Sequence, residues 1–160
     1  MEPSGSTIFP KVTARDLEGR TVEIPAGLSG TVNLVVLAFK RDHQYPIETW
    51  MPHFARLESD YPGLEVWEVP ALSRTYRIWR GAIDSGMRAG VPDPYARRHT
   101  LTAYLDVRGL QRALDLPDLD EIHLFLLDRS GNVRWQGRGA HNEATLTALR
   151  EALRALTASS

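Results

Sequence analysis

Residues 32–39 read Val-Asn-Leu-Val-Val-Leu-Ala-Phe, a near-continuous apolar run of strand length. Such a run predicts a central β-strand buried on both faces. It breaks into the polar stretch Lys40, Arg41, Asp42, His43, Gln44, Tyr45. Pro46 follows, and suits a first helical turn because its missing N–H is not needed there. Ile47, Trp50, Met51, Phe54, Leu57 and Tyr61 then recur at helical spacing, which predicts an amphipathic helix kinked at Pro52.

The same test, applied along the rest of the chain, predicts an ordered series of elements. Two β-favouring runs, 12–14 and 20–24, flank the turn Asp16-Leu17-Glu18-Gly19 and read as a small hairpin. Residues 64–69 alternate with period two after the Tyr61-Pro62-Gly63 stop, so strand, helix and strand form a βαβ unit with parallel strands. Tyr76, Trp79, Ile83 and Met87 give residues 74–89 a helical stripe expected to face the core. Beyond the Pro-rich loop 91–99, the pattern predicts a short strand at 100–105 and a short helix at 107–116. A second apolar strand follows at 122–127, then a turn at 129–132, a return strand at 133–136 and a closing helix at 143–156 capped by Asn142. The small polar residues 1–7 predict a loose start, and residues 8–158 one α/β domain: a mixed central sheet flanked by helices, with an added N-terminal β-hairpin.

This arrangement resembles the thioredoxin-like superfamily. Its redox members place Phe, then Cys-x-x-Cys, after the apolar strand, and a Pro one turn into the helix. Laying Phe39 and Pro52 on that pattern puts Gln44 and Ile47 where the cysteines would stand, with Pro46 as the inner proline. Asp16-Leu17-x-Gly19-x-x-Val22-x-Ile24 resembles the leading hairpin of the redoxin branch. Residues 110–139, with Arg134-Trp135-x-Gly137-x-Gly139, and Arg98-His99 before the short strand, resemble the thioredoxin-like domain of mitochondrial ATP synthase assembly factors and their bacterial relatives. Redox thioredoxins also carry a cis-proline where this chain has Glu121-Ile122.

Composition sharpens the picture by exclusion. The chain has no cysteine, so thiol–disulfide exchange, peroxide reduction by a thiolate and thiolate metal sites are impossible. The formal net charge of −1 argues against nucleic acid as a general partner. Locally, residues 73–100 hold six arginines against two aspartates, which fits either a solvated helix face or an anionic partner. No run is long and apolar enough to span a bilayer, and the expectation is a soluble, cytoplasmic protein. Neither a phosphate loop nor a nucleophile elbow is present; the five histidines show no ligand spacing, and no cofactor or metal is expected.

What remains is the loop Lys40, Arg41, Asp42, His43, Gln44, Tyr45, Pro46 at a helix head, with Arg98 and His99 as secondary candidates. The first expectation is a redox-inactive protein that binds another polypeptide, the assembly role being implied by the resemblance alone. The alternative is a small-molecule or anion binder, or an enzyme using Asp42 and His43 as acid/base groups, since helix N-termini attract anions and histidine titrates near neutrality. A third possibility is that Asp42 or Gln44 merely caps the helix.

Overall fold

The computed structural model describes residues 7–158, leaving aside the side chains of residues 77 and 78; the rest of the predicted loose start lies outside the described residues. The strands are β1 (Val12–Asp16), β2 (Thr21–Ile24), β3 (Val32–Ala38), β4 (Leu64–Ser73), β5 (Leu101–Leu105), β6 (His123–Leu127) and β7 (Val133–Arg138). The helices are α1 (Gln44–Asp60), α2 (Arg80–Gly90), α3 (Pro94–Arg98), α4 (Val107–Ala113) and α5 (Glu143–Ala158). They build one seven-stranded mixed sheet in the order β2-β1-β5-β4-β3-β6-β7.

Every residue of β3 is buried, because it pairs in parallel with β4 on one side and antiparallel with β6 on the other. Its alternate side chains feed two cores. Leu34 and Val36 meet Ile47, Trp50, Phe54 and Leu57 of α1 and Leu146, Leu149 and Leu153 of α5. Val35 and Leu37 meet Phe9, Phe125 and Leu110 of α4 on the opposite face. Each large apolar side chain so buried contributes roughly 1.5–3 kcal/mol relative to exposure. The polar residue in the run, Asn33, is satisfied where it stands: its Oδ1 accepts from Trp67 Nε1 at 2.9 Å and from the Gly30 N–H at 3.0 Å.

Several expected segments differ: the Pro-rich stretch 91–99, expected as a loop, holds α3, whose N-cap Asp93 side chain accepts the Ala96 N–H, and the strand expected at 64–69 runs on to Ser73. Residues 74–89 are not one helix: Arg74–Trp79 forms a 3-10 turn and only then does α2 begin. Three residues per turn instead of 3.6 puts Tyr76 and Trp79 on one outward line, 52% and 63% exposed, and α2 buries no residue fully. Ile83 and Met87 are half-buried, so the stripe covers the sheet margin rather than entering the core. The helix expected at 107–116 ends at Ala113, because Asp115 turns into the left-handed region at φ 54°. The return strand runs on to Arg138 and ends at Gly139, whose φ of 82° suits glycine at this sharp exit. Among the described residues no helix is long and apolar enough to cross a membrane.

Candidate functional site

β3 delivers the chain to the end of the sheet at Ala38, opposite Pro70 of β4. Phe39 is half-buried, Lys40 is exposed, and the 3-10 turn Arg41–His43 leads directly into α1. Within this polar loop His43 is the exception, 3% exposed. Its Nδ1 accepts the Phe39 N–H at 2.9 Å, so the ring proton sits on Nε2, which faces the Asp120 carbonyl oxygen at 3.1 Å. Lys40 Nζ contacts Asp120 Oδ1 at 3.0 Å, and the hydrogen bond and charge of that carboxylate raise the Lys40 pKa. Both side chains are at least half exposed, so this pair orients more than it stabilises.

The segment before β6 is thereby fastened beneath the loop. Ile122 is fully buried in the same core as Ile47. Phe39 meets His43 and His123 edge-on, each with ring centroids 6.2 Å apart. His123 Nε2 lies 3.2 Å from the Asp118 carbonyl, yet burial is the larger influence and lowers its pKa. Gln44 and Ile47, where the resemblance to the redox pattern would place sulfur, thus stand in the first turn of the first core helix, Gln44 exposed and Ile47 in the same core cluster as Ile122.

This geometry revises the sequence-based assignment of roles. His43 has both ring nitrogens engaged with the backbone and its ring out of solvent, so neither nitrogen faces outward with Asp42. No side-chain cap closes either the 3-10 turn or α1, so neither Asp42 nor Gln44 caps the helix. The anion platform is weakened as well. The His43 N–H donates to Lys40 O, the Gln44 N–H donates back into the turn, and Pro46 has no N–H to offer. What faces outward is Arg41, Asp42, Gln44 and Tyr45, the last 72% exposed, with Pro46 half-buried beside them.

Arg98 and His99 do not join this surface. His99 Nε2 meets Glu65 Oε1 at 2.8 Å near the start of β4, while Lys40 lies beyond the level of Pro70. Pro70 is five steps along the strand from Glu65, roughly 16 Å along the sheet. His99 stacks between Trp67 and Tyr95, with centroids at 4.2 and 4.0 Å, and Arg98 approaches Glu18 at 3.8 Å. Both residues serve the joint between α3 and the sheet. A third histidine cluster had no sequence signal: His53 and His141 stack at 3.7 Å with planes 7° apart. Parallel rings aim their in-plane lone pairs side by side rather than at one point. Among the described residues no group of three or more His, Cys, Asp or Glu side chains is placed to hold a metal.

Comparison with solved structures identifies the scaffold. A thiol:disulfide interchange protein DsbE from Chlorobium tepidum shares 20% identity at a TM-score of 0.63, over 94% of this chain and 96% of that one. An electron transfer protein from Aquifex aeolicus gives 15% identity and 0.64, over 94% and 93%. BsSco, a member of the Sco family of cytochrome c oxidase assembly proteins, gives 11% and 0.61, over 96% and 97%. No family model matches the chain, and no curated protein matches it. The fold is thioredoxin-like and carries no cysteine.

Proposed function

We propose that this chain is a thioredoxin-fold binding protein that recognises another polypeptide through the loop at the head of α1, and that it performs no thiol chemistry. The observation that carries the reading is Tyr45. A large aromatic side chain stands 72% exposed in the first turn of α1, beside a loop fixed from below by His43 and Lys40. Tyrosine is enriched at protein interfaces, and a loop already held in place loses less entropy on binding. Arg41, Asp42 and Gln44 supply polar groups beside it that make no side-chain hydrogen bond to other described residues.

The finer possibility, a role in helping a complex assemble, is supported only by the resemblance of Arg134-Trp135-x-Gly137-x-Gly139 to the ATP synthase assembly factors. Affinity capture with the wild-type protein and with Gln44→Ala plus Tyr45→Ala tests the loop. Loss of a specific partner with unchanged thermal stability supports the reading. Equal recovery of every partner refutes this surface.

A further inference from the structure

At the margin of the sheet, on the face that α4 covers and opposite the one that α1 covers, a cleft of about 380 Å³ opens between the approach to β1, the end of β5 and α4. That volume falls within the roughly 300–1,000 Å³ of small-molecule sites. Its apolar wall comes from Val12, Leu105, Leu110 and Ala113, while Lys11 and Arg74, both exposed, supply its cations. Tyr104 joins the lining, and the charges of Arg80 and Arg15 reach its hydroxyl. Lys11 and Arg74 are thus the two cations of the lining, and no ion pair among the described residues engages either.

Two acids lie nearby, one of them a half-exposed carboxylate of the lining. Asp84 accepts the Tyr104 hydroxyl at 3.0 Å, and Asp106, in the lining itself, faces Arg112 at 3.8 Å. Burial first, then the Asp84 hydrogen bond and charge, pushes the Tyr104 phenol up, so it stays protonated and adds no negative charge. We propose that this cleft is a binding site for an amphipathic anion, a phosphate or carboxylate group carried on a small apolar body, with Lys11 and Arg74 on the anion and Leu105 and Leu110 against the body. The site is independent of the polypeptide-binding reading, which concerns a different surface.

Isothermal titration of the full chain with inorganic phosphate, phenyl phosphate and phenol tests it, beside flotation with vesicles of phosphatidic acid. Saturable binding of phenyl phosphate, tighter than either half alone, is expected. Arg74→Gln or Lys11→Gln should weaken it by about tenfold, the scale of one lost charge-assisted hydrogen bond. Arg129→Gln, in the exposed turn between β6 and β7, should leave it unchanged. All three substitutions are at exposed positions, where a change of this kind is expected to leave the fold intact. Vesicle capture sensitive to Arg74→Gln and Lys11→Gln would support the same site with a lipid headgroup as source; binding of the soluble probe alone would support it with a free ligand. Absence of any binding, or binding indifferent to Arg74→Gln and Lys11→Gln, overturns the proposal. So does inorganic phosphate binding as tightly as phenyl phosphate, which would mark an adventitious ion only.

Discussion

His43 Nε2 lies 3.1 Å from the carbonyl oxygen of Asp120, joining the loop after β3 to the segment before β6. With Nδ1 on the Phe39 N–H, the imidazole closes two backbone groups that would otherwise be left without these partners. His43→Ala should therefore destabilise the protein by about 1–3 kcal/mol, the cost of leaving buried polar groups unpaired. Urea unfolding at neutral pH measures this. Tyr45→Ala, two residues on and on the exposed side, should stay within about 0.5 kcal/mol of wild type.

The sequence makes some of this legible. The apolar run of β3 and the 3.6-residue spacing of α1 are local signals, and both elements appear where those signals place them. His43 could be placed at the helix head but not assigned a role, because the carbonyl it meets belongs to Asp120, far along the chain. Its hydrogen bond to Phe39 is local, yet histidine before a helix reads equally well as a ligand or an acid. Tyr76 and Trp79 misled for a different reason. Their spacing fits a 3-10 turn as well as an α-helix, and the two put the side chains on different faces. Arg98 and His99 were misplaced because β5 adds beside β4, carrying them towards Glu65 rather than the loop.

Glu68 is half-buried beside the Thr100 bridge, and among the described residues no hydrogen bond or ion pair engages its carboxylate. Burial raises its pKa. A carboxyl raised in the folded state favours folding fully only below its unfolded value, near 4.5, and that contribution is lost as pH rises through the folded value. Glu68→Gln should accordingly raise the melting temperature at pH 7.5 and have little effect at pH 4. Melting curves of the two proteins at both values check the difference.

Asp128 behaves in the opposite sense. Burial alone would raise its pKa, but the Asn132 backbone N–H, the Arg134 guanidinium at 2.8 Å and the Asn132 amide together lower it. A lowered carboxyl contributes stability above its unfolded pKa, near 3.8, that is lost as pH falls through the folded value. Asp128→Asn should thus be less stable than wild type at pH 7, with the gap closing below about pH 4. Urea midpoints across that range test it.

Gly139 sits at φ 82°, its carbonyl accepting Trp50 Nε1 at 2.9 Å, and a Cβ there would lie 2.8 Å from Glu121 Oε1. Gly139→Ala should destabilise by about 1 kcal/mol or more, from left-handed backbone strain. Tryptophan fluorescence during urea unfolding reads the midpoint and the environment of Trp50 together.

We propose that a thioredoxin-like fold without cysteine here presents a fixed loop to another polypeptide. A photo-reactive phenylalanine analogue at position 45, with a second protein labelled at the exposed Thr147 of α5 as reference, tests it directly. The account predicts a discrete cross-linked polypeptide from position 45 that is absent from position 147 and lost with Arg41→Ala plus Gln44→Ala. Equal cross-linking from both positions, or none from position 45, would contradict it.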